Sequence, residues 1–561
     1  MTRAAAVLAV LLTPLVAVLL WATPAQAHAY VLSVDPAHES QLRTAPSAVR
    51  VTFSEPVTLP SAPDAASVID EEGRRVDTGP ARLEPGRHTL VIGLRAGLPH
   101  GVYIVSWSVV SADTHPVGGS IEFGYGVPAT AASAPAAGGA PSTGWELAVA
   151  AAKALVYLGL VAALGLVPAA LVLGADERER QVLWRAARIG AAVVAAGSLL
   201  QAVAQYLWQS SATRSGASWT GLAGFAEASY TAAVWVRLAL LGAALLVLPP
   251  WRRPALRRTR WTVAGLLALA TLGSVVRNGH GGSGAWWQFA LTLLHVAAMT
   301  AWLGGLATLG WLLLRGRITG ERLHRLPLWS VYAAVAVAVM LTSGLLQSVV
   351  EVRFPGALTT TTYGFVLVVK VLLVSGALAL GFTGYRWIRR QIALAGSLDA
   401  DARPAPGQTA RLRGRVRLEA AAGAVVVVVS GVLSSITPAE AAYAPQLRMR
   451  TAIGPFAVTI AVKPLRRGPE SFRITVAGHT DATPPAESLH LVLSQPDGPV
   501  RALEVRFPYR IPGAIQPGVP TPMTFSSTSV TVPSAGTWTG TLTVVAGRTR
   551  QYTDAFDFRV Y

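Results

Sequence analysis

One stretch of the sequence, from Trp287 to Leu314, reads WQFALTLLHVAAMTAWLGGLATLGWLLL and contains no Asp, Glu, Lys or Arg. An α-helix rises about 1.5 Å per residue, so a helix of this length exceeds the roughly 30 Å of a bilayer's hydrocarbon core. The chain has 561 residues, 52% of them hydrophobic, which is too long for one ordinary domain and too apolar for a wholly soluble protein. The sequence therefore predicts several membrane spans and at least one soluble domain.

Apolar runs long enough to cross the hydrocarbon core recur through the middle of the chain. We interpret eight of them as membrane-spanning helices: 145–173, 183–207, 229–248, 261–276, 287–314, 328–349, 363–387 and 418–435. An even number of spans returns the chain to the side of the membrane on which it started. Both ends of the chain are thus predicted to lie on the same side.

The arginine residues test this topology, because short cytoplasmic loops carry an excess of Lys and Arg. The loops expected inside carry Arg178, Arg180, Arg185 and Arg188, then Arg252, Arg253, Arg257, Arg258 and Arg260, then Arg315, Arg317, Arg322 and Arg325, and finally a cluster within 386–417. The loops expected outside contain Arg214, Arg277 and Arg353. This bias predicts a multi-pass protein of the cytoplasmic membrane with both terminal domains outside the cytoplasm.

The first residues have the pattern of a secretory signal. Arg3 precedes an apolar stretch from Ala4 to Leu20, and the small-x-small triplet 25–27 follows. Cleavage after this triplet makes His28 the mature N-terminus. The alternative is an uncleaved signal anchor.

Short β-type runs punctuated by Pro and Gly flank the apolar region on both sides. They are 49–53, 88–94 and 103–110 before it, and 456–462, 472–476, 488–493 and 537–545 after it. The predicted organisation is a signal peptide (1–27), an all-β sandwich of Ig-like or Greek-key type (28–127), an Ala/Pro/Gly linker (128–144), an eight-helix membrane domain (145–436) and an exterior β-sandwich (437–561). The last domain either caps the helices or docks a partner.

Composition limits the chemistry that the chain can perform. The net charge of +18 comes largely from arginines between apolar runs, so it indicates membrane topology and contact with lipid rather than a nucleic-acid partner. The sequence has no cysteine, which excludes disulfides and thiolate metal sites. Any metal must be held by imidazole, carboxylate, thioether or backbone nitrogen.

The processed N-terminus predicts a copper site. His28 would offer its α-amine and its imidazole to one ion, and Cu(II) favours such tetragonal nitrogen and oxygen ligation. Asp113 and His115 stand two residues apart, so in an extended segment they share a face. Glu55, at a probable strand end, is a further candidate oxygen ligand. The alternative for Asp113 and His115 is a turn in which the carboxylate caps backbone amides.

Three segments of this region resemble the CopC family of periplasmic copper carriers: HAYVLSVDPA from residue 28, VTFSEPV from residue 51 and GVYIVSWSVVSADTHPVGG from residue 101. The resemblance implies that His28, Asp113, His115 and in some members Glu55 bind or surround Cu(II). Some relatives add a methionine-rich copper(I) site, but 57–98 contains no methionine. A second, copper(I) site in this domain is therefore not expected.

Two residues of the run quoted first are candidates for a copper(I) site in the membrane. His295 and Met299 lie four residues apart and so project from one face of a helix, and an imidazole with a thioether suits Cu(I). His280, in the preceding exterior turn, is placed to pass an ion inward. The alternatives are an interhelical hydrogen bond for His295 in an interface made tight by Gly304 and Gly305, ordinary packing for Met299, and a solvated loop for His280.

The membrane region resembles the CopD family of membrane copper proteins over nearly all eight helices. The shared patterns are LHVAAMTAWLGGL from residue 294, TSG at 342–344 and TYGFVLVVK from residue 362. What the resemblance implies is copper binding outside the membrane and copper transfer or transport that contributes to homeostasis or resistance. Of the two directions, uptake is the one we favour, and export stays open. An envelope copper chaperone or a reductase is an expected partner.

Two other functions are open from the sequence. A copper-dependent redox enzyme is one, because an N-terminal histidine chelate also activates oxygen, although the Asp113 carboxylate would fill a position that oxygen needs. A haem or electron-transfer membrane protein is the other, although paired intramembrane histidines are missing. We therefore predict a transporter rather than an enzyme.

Overall fold

The structure is a computed structural model that describes residues 29–60, 65–111, 116–129, 143–211, 216–247, 257–279, 285–314, 320–395, 406–480, 483–496, 498, 500–513, 521–527, 530–547 and 550–561. Within these ranges the chain forms a β-domain, then a region of long helices, then a second β-domain. This is the order that the sequence predicts, because the runs with a period of two lie at the ends and the long apolar runs lie between them.

The N-terminal β-domain consists of two sheets. Its strands are Val31–Asp35 (β1), Ser40–Leu42 (β2), Ala48–Phe53 (β3), Val57–Thr58 (β4), Ala66–Ile69 (β5), Arg82–Leu83 (β6), Thr89–Gly93 (β7), Gly101–Ser111 (β8) and Pro116–Tyr125 (β9). One sheet has the order β1-β3-β7-β6 and the other β2-β9-β8-β4, with β5 also paired to β8. Strand β2 runs parallel to β9, whereas β8 and β9 run antiparallel.

The alternation of apolar and polar residues builds the core of this domain. Val49, Val51 and Phe53 of β3 are fully buried, and between them the chain presents more exposed residues to the other face. They pack in one cluster with Tyr103 and Phe123 of the second sheet. The apolar residues of both sheets thus fill the space between them.

Long helices make up the central region. They are Thr143–Leu160 (α1), continued through a π-helical turn Val161–Gly165 into Leu166–Val172 (α2), then Glu177–Ser211 (α3), Trp219–Glu227 (α4), Ser229–Val247 (α5), Arg257–Val276 (α6), Trp286–Leu314 (α7), Gly320–Val352 (α8), Ala357–Thr360 (α9), Thr362–Ala395 (α10), Pro406–Leu433 (α11) and Ala439–Ala442 (α12). A helix is present at each of the eight predicted spans.

Not all of these helices meet the length and apolarity of a membrane span. Within the described part of the chain six do, and a seventh span results if α4 and α5, which meet at a bend of 68°, are counted as one. The apolar part of α6, Trp261–Val276, is shorter than the others. Six or seven apolar helices of this kind make the protein a multi-pass membrane protein.

Glycines allow the helices to approach closely. A Cβ atom on Gly304 of α7 would lie 2.4 Å from the Cα atom of Gly165, and one on Gly305 would lie 2.3 Å from the Trp329 ring of α8. Any larger residue would push these helices apart. The tight glycine-rich interface expected around Gly304 and Gly305 is therefore present. These glycines contact the π-helical turn and α8, and they are not the residues against which His295 packs.

The C-terminal β-domain also has two sheets. Its strands are Leu447–Ile453 (β10), Phe456–Lys463 (β11), Gly468–Gly478 (β12), Ala486–Ser494 (β13), Leu503–Val505 (β14), Tyr509–Pro512 (β15), Met523–Ser526 (β16), Val530–Val532 (β17), Gly536–Ala546 (β18) and Arg550–Val560 (β19). The sheet orders are β10-β11-β12-β16-β15, with β17 paired to β12, and β14-β13-β18-β19. Their inward faces form one core around Trp538, which is fully buried.

Candidate metal centre

The first described residues are hydrogen-bonded to the chain just after strand β3. The Ser54 N–H donates to the Tyr30 carbonyl oxygen at 2.9 Å, and the Tyr30 N–H donates to Ser54 Oγ at 3.0 Å. Val31 pairs with Phe53 in the same ladder. Ala29, the residue after the predicted N-terminal ligand, is buried. The entry of the chain into the domain is thus fixed beside Ser54 and Glu55.

The two strands that flank the Asp-x-His pattern pair with each other right up to the described residues beside it. Val110 pairs with Pro116, so 112–115 join the ends of β8 and β9. Ser111 pairs with Val57, two residues after Glu55. Three segments that are far apart in sequence therefore meet at one end of the N-terminal domain. We call this the metal end and define it by Ala29, Tyr30, Ser54, Glu55 and Ser111.

Glu55 is the one predicted ligand of this site within the described residues, and it is only 5% exposed. It follows the end of β3, which is where the sequence places it. A carboxylate held out of water attracts a cation more strongly than one in bulk solvent, because the local dielectric constant is low. Its position at the metal end suits an oxygen ligand.

The other predicted ligands of the exterior part lie outside the described residues. They are His28, Asp113, His115 and, in the turn before α7, His280. Among the residues that the structure does describe, no three His, Asp or Glu side chains are grouped closely enough to hold a metal ion. The structure thus locates the segments that carry His28, Asp113 and His115 and leaves the ligand set as a prediction.

Two histidines outside the matched patterns lie in different places. The Nδ1 atom of His38 accepts a hydrogen bond from the Glu122 N–H at 3.2 Å, six residues along β9 from the metal end. The Nδ1 atom of His88 lies 3.4 Å from the Phe53 carbonyl oxygen, close to that end, and its side chain is exposed. Sequence spacing gives no signal for His88, because strand pairing brings it there.

In the bundle, His295 of α7 forms an interhelical hydrogen bond to α8. Its Nδ1 atom lies 3.0 Å from the Met340 carbonyl oxygen and 3.1 Å from Ser343 Oγ. The Ser343 hydroxyl donates its own hydrogen bond to the Val339 carbonyl oxygen, 2.6 Å away, so at His295 it acts as an acceptor. Since a carbonyl oxygen only accepts, Nδ1 carries the ring proton and Nε2 keeps its lone pair. A neutral imidazole oriented in this way is the form that binds metals.

The glycine that admits this ring is Gly344. A Cβ atom there would lie 2.9 Å from His295 Cε1, so no larger residue fits without displacing the ring. Met299 and Met340 are both buried in the bundle core, to which both α7 and α8 contribute. The expected interhelical hydrogen bond of His295 is present, and it brings the backbone of Met340 to the ring, which the sequence does not reveal.

Basic residues within the helices bond to neutral groups. Arg237 of α5 is 0% exposed and donates to Ser198 Oγ at 2.9 Å, to Ser274 Oγ at 3.2 Å and to the Ser274 carbonyl oxygen at 2.7 Å. Lys153 of α1 donates to the Ser434 carbonyl oxygen at 2.5 Å. These bonds join α5 to α3 and α6, and α1 to the end of α11. Both residues thereby tie the bundle together.

The fold defines a multi-pass membrane protein with a β-domain at each end, and comparison with known proteins gives its relations. The CopC domain matches residues 31–126, and Copper resistance protein D (CopD) matches residues 323–433. The second match is narrower than the eight-helix resemblance expected from the residues, and His295 precedes it.

Individual relatives agree with these matches. The chain is 27% identical over 473 residues to Copper transport protein CutJ of Bacillus subtilis, covering 81% of this chain and 82% of that protein. It is 34% identical over 117 residues to Protein YobA of Escherichia coli, covering 21% of this chain and 89% of that protein. A crystal structure of PcoC, a methionine-rich copper resistance protein from Escherichia coli, is 28% identical, covers 18% of this chain and 99% of that chain, and has a TM-score of 0.16.

The chain belongs to the CopC family through its N-terminal domain and carries a CopD domain in the same polypeptide.

Proposed function

We propose that the protein binds Cu(II) at the metal end of its N-terminal domain and transfers copper through the helical bundle into the cell. The observation that carries this proposal is the convergence of Tyr30, Glu55 and the paired strand ends at Ser111 and Pro116. The names of its relatives, a copper transport protein and a copper resistance protein, support copper as the substrate. His28, Asp113 and His115 are the proposed ligands, with Glu55 beside them.

In this proposal the chain crosses the cytoplasmic membrane eight times, with α4 and α5 as the third span and α6 as the fourth. The excess of arginine in the first, third, fifth and seventh loops between spans supports a cytoplasmic location for these loops. The domains 28–127 and 437–561 then both lie outside, after removal of 1–27 and on either side of the linker 128–144 and the bundle 145–436. Copper captured outside and released inside is uptake.

The second proposed copper site uses His295 Nε2 and the Met299 thioether, with His280 before them. Its support is the hydrogen bond from His295 Nδ1–H to the Met340 carbonyl oxygen, which leaves the lone pair of Nε2 for a metal ion. Imidazole and thioether together select Cu(I). Reduction of Cu(II) to Cu(I) between the two sites requires one electron, and an envelope reductase is its proposed source. An envelope copper chaperone is the alternative proposed partner, for delivery of the metal.

The positive charge of Lys370 of α10 would repel a cation at this second site. Its ammonium group acts electrostatically on His295 and is itself attracted by Glu351. A metal ion at His295 would feel this positive charge unless Glu351 compensates it. The pairing of Lys370 with Glu351 is therefore part of the proposal.

The test is copper accumulation in cells that express the wild type, His28→Ala or His295→Ala, with His490→Ala as control because that histidine is exposed on β13. We expect both site variants to lower accumulation and the control to match the wild type. Increased accumulation in the variants would indicate export instead. Unchanged accumulation in both would remove transport from the proposal.

His295→Asn separates the two roles of the ring. An asparagine side chain keeps an N–H donor for the Met340 carbonyl oxygen but has no nitrogen lone pair in place of Nε2. If the ring binds copper, His295→Asn is as defective as His295→Ala. If the hydrogen bond alone matters, His295→Asn restores accumulation and the membrane copper site is wrong.

A further inference from the structure

The C-terminal β-domain is fastened to one end of the helical bundle. Phe354, just after α8, stacks on Tyr443 with ring centroids 5.3 Å apart and meets the Tyr561 ring edge-on at 5.1 Å. Tyr561 is the residue after β19, so this cluster joins the domain to the bundle. Arg353 adds an ion pair to Glu440 of α12 at 2.5 Å. Short helix α12 also packs in an apolar cluster with α8 and α10.

Arg466, between β11 and β12, touches two other parts of the molecule at once. Its Nη1 atom donates to the Ala441 carbonyl oxygen of α12 at 3.0 Å. Its guanidinium carbon lies 4.8 Å from the centroid of the Tyr30 ring. A guanidinium has five donors and a flat face, so one side chain can satisfy a carbonyl and stack on an aromatic ring. The N-terminal domain, the C-terminal domain and the bundle therefore meet at Arg466.

Two further contacts hold the same pair of β-domains together. A Cβ atom on Gly468 of β12 would lie 3.0 Å from the Val31 carbonyl oxygen, so the backbones of β1 and β12 approach closely. Burial, and after it an interaction with the Glu39 side chain, raises the pKa of Tyr509 of β15, which places Tyr509 beside the N-terminal domain. The contact is therefore a surface rather than a single residue.

We propose that Arg466 is a positioning residue that holds the metal end against the outer end of the bundle, with the C-terminal β-domain as its platform. The proposal gives this domain its role, and it rests on the proposed function for the meaning of the metal end. Tyr30 belongs to that end and is two residues from His28, a distance that an extended chain spans in about 7 Å. Docking at Tyr30 thus holds the metal end beside α12 instead of leaving the N-terminal domain on a free tether.

The first test measures the distance between the two β-domains in the full-length protein. The sequence has no cysteine, so spin labels can be attached specifically at Arg95→Cys and Glu487→Cys, two exposed positions on the two β-domains. We expect a narrow distance distribution by double electron–electron resonance. Arg466→Ala should broaden it, since loss of a cation–π contact shifts a docking equilibrium by roughly 2- to 30-fold. Arg467→Ala is the matched control, because Arg467 contributes its backbone N–H to the Tyr561 carbonyl oxygen.

Tyr30→Leu approaches the same contact from the other domain. It removes the ring without altering the C-terminal domain, so misfolding of that domain cannot explain its effect. We expect Tyr30→Leu to broaden the distribution as Arg466→Ala does, and the double variant to add nothing. A distribution that stays as narrow as the wild type in either single variant would overturn the docking role.

The second test asks whether docking serves copper transfer. Arg466→Ala should leave the Cu(II) electron paramagnetic resonance spectrum of the protein unchanged, because no proposed ligand is altered, while copper accumulation falls toward that of His28→Ala. Normal accumulation with a broadened distance distribution would refute the positioning role. If accumulation does not depend on His28 at all, the proposed function fails, and the distance measurement still decides whether the domains dock.

Discussion

The two β-domains have similar two-sheet architectures, but two of their buried carboxylates, Glu55 and Glu470, lie in different places. Glu55 follows the last residue of β3, at the end of the N-terminal domain where three segments meet. Glu470 lies within β12, on the inward face that it shares with Phe472, and is 1% exposed. Among the described residues neither Glu470 oxygen has a hydrogen-bond partner, and burial raises the pKa of Glu470 to about 8. A carboxylate at a strand end can meet an ion, whereas one inside a sandwich is held neutral.

The largest expected effect is on copper binding at the metal end. His28→Ala and Asp113→Asn each remove a proposed ligand, so Cu(II) affinity should fall by more than the roughly 10- to 100-fold that loss of an outer-shell partner costs. Competition with a chromophoric chelator measures this in the purified full-length protein. Glu470→Gln is the control and should bind Cu(II) as the wild type does. An equal loss in that control would remove the distinction between the two carboxylates.

The next effect is a pH dependence of the C-terminal domain. The folded-state pKa of Glu470 lies above its ordinary value of 4.5, so the folded domain retains a proton that the unfolded chain releases. The stabilisation is complete below about pH 4.5 and is lost as the pH rises through about 8. We expect a loss on the order of 1–3 kcal/mol, the cost of an unsatisfied buried polar group.

Hydrogen exchange of the β12 amides in the full-length protein measures this loss. Glu470→Gln carries no titrating proton and should abolish the pH dependence across that range. Glu487→Gln changes an exposed carboxylate on β13 and should leave it intact. A pH dependence that persists in Glu470→Gln would mean that another group titrates in this domain.

A smaller effect on Cu(II) affinity is expected when Glu55, the carboxylate of the N-terminal domain, is changed. Glu55→Gln keeps an oxygen at the metal end but removes its charge, so Cu(II) affinity should fall about tenfold, or roughly 1.4 kcal/mol. The nitrogen hyperfine pattern of bound Cu(II) should stay the same, because the nitrogen ligands are elsewhere. If the affinity is unchanged, Glu55 is structural. If the hyperfine pattern changes, Glu55 positions the nitrogen ligands instead.

Sequence predicts the helices of this protein well, because the length needed to cross a bilayer is a local property of the chain. The bend between Glu227 and Ser229 could not be predicted, because the span predicted from apolarity begins only at 229 and leaves α4 out. The short α6 shows the same limit, since 16 apolar residues suggest a span only by analogy with their longer neighbours. Helix existence is thus local information, whereas helix geometry depends on packing.

The residues of the candidate sites also differ in how much of their placement the sequence predicts. The position of Glu55 at a strand end follows from the strand run before it. The partner of His295 does not, because several glycines are available and only the arrangement of the helices selects Gly344 over Gly304. Arg466 carries no sequence signal either, since its contacts with Tyr30 and Ala441 join three regions that lie far apart in the chain.

The smallest effect concerns charge on the outer surface of the N-terminal domain. Arg50 and Glu84 form an ion pair there, with side chains 50% and 41% exposed. Water screens such a pair, so Glu84→Gln should change the free energy of unfolding by about 0–1 kcal/mol and leave Cu(II) affinity unaltered. Thermal unfolding and the chelator competition measure the two quantities. A loss of Cu(II) affinity here would show that general surface charge, rather than the placement of Glu55 at the metal end, attracts the ion.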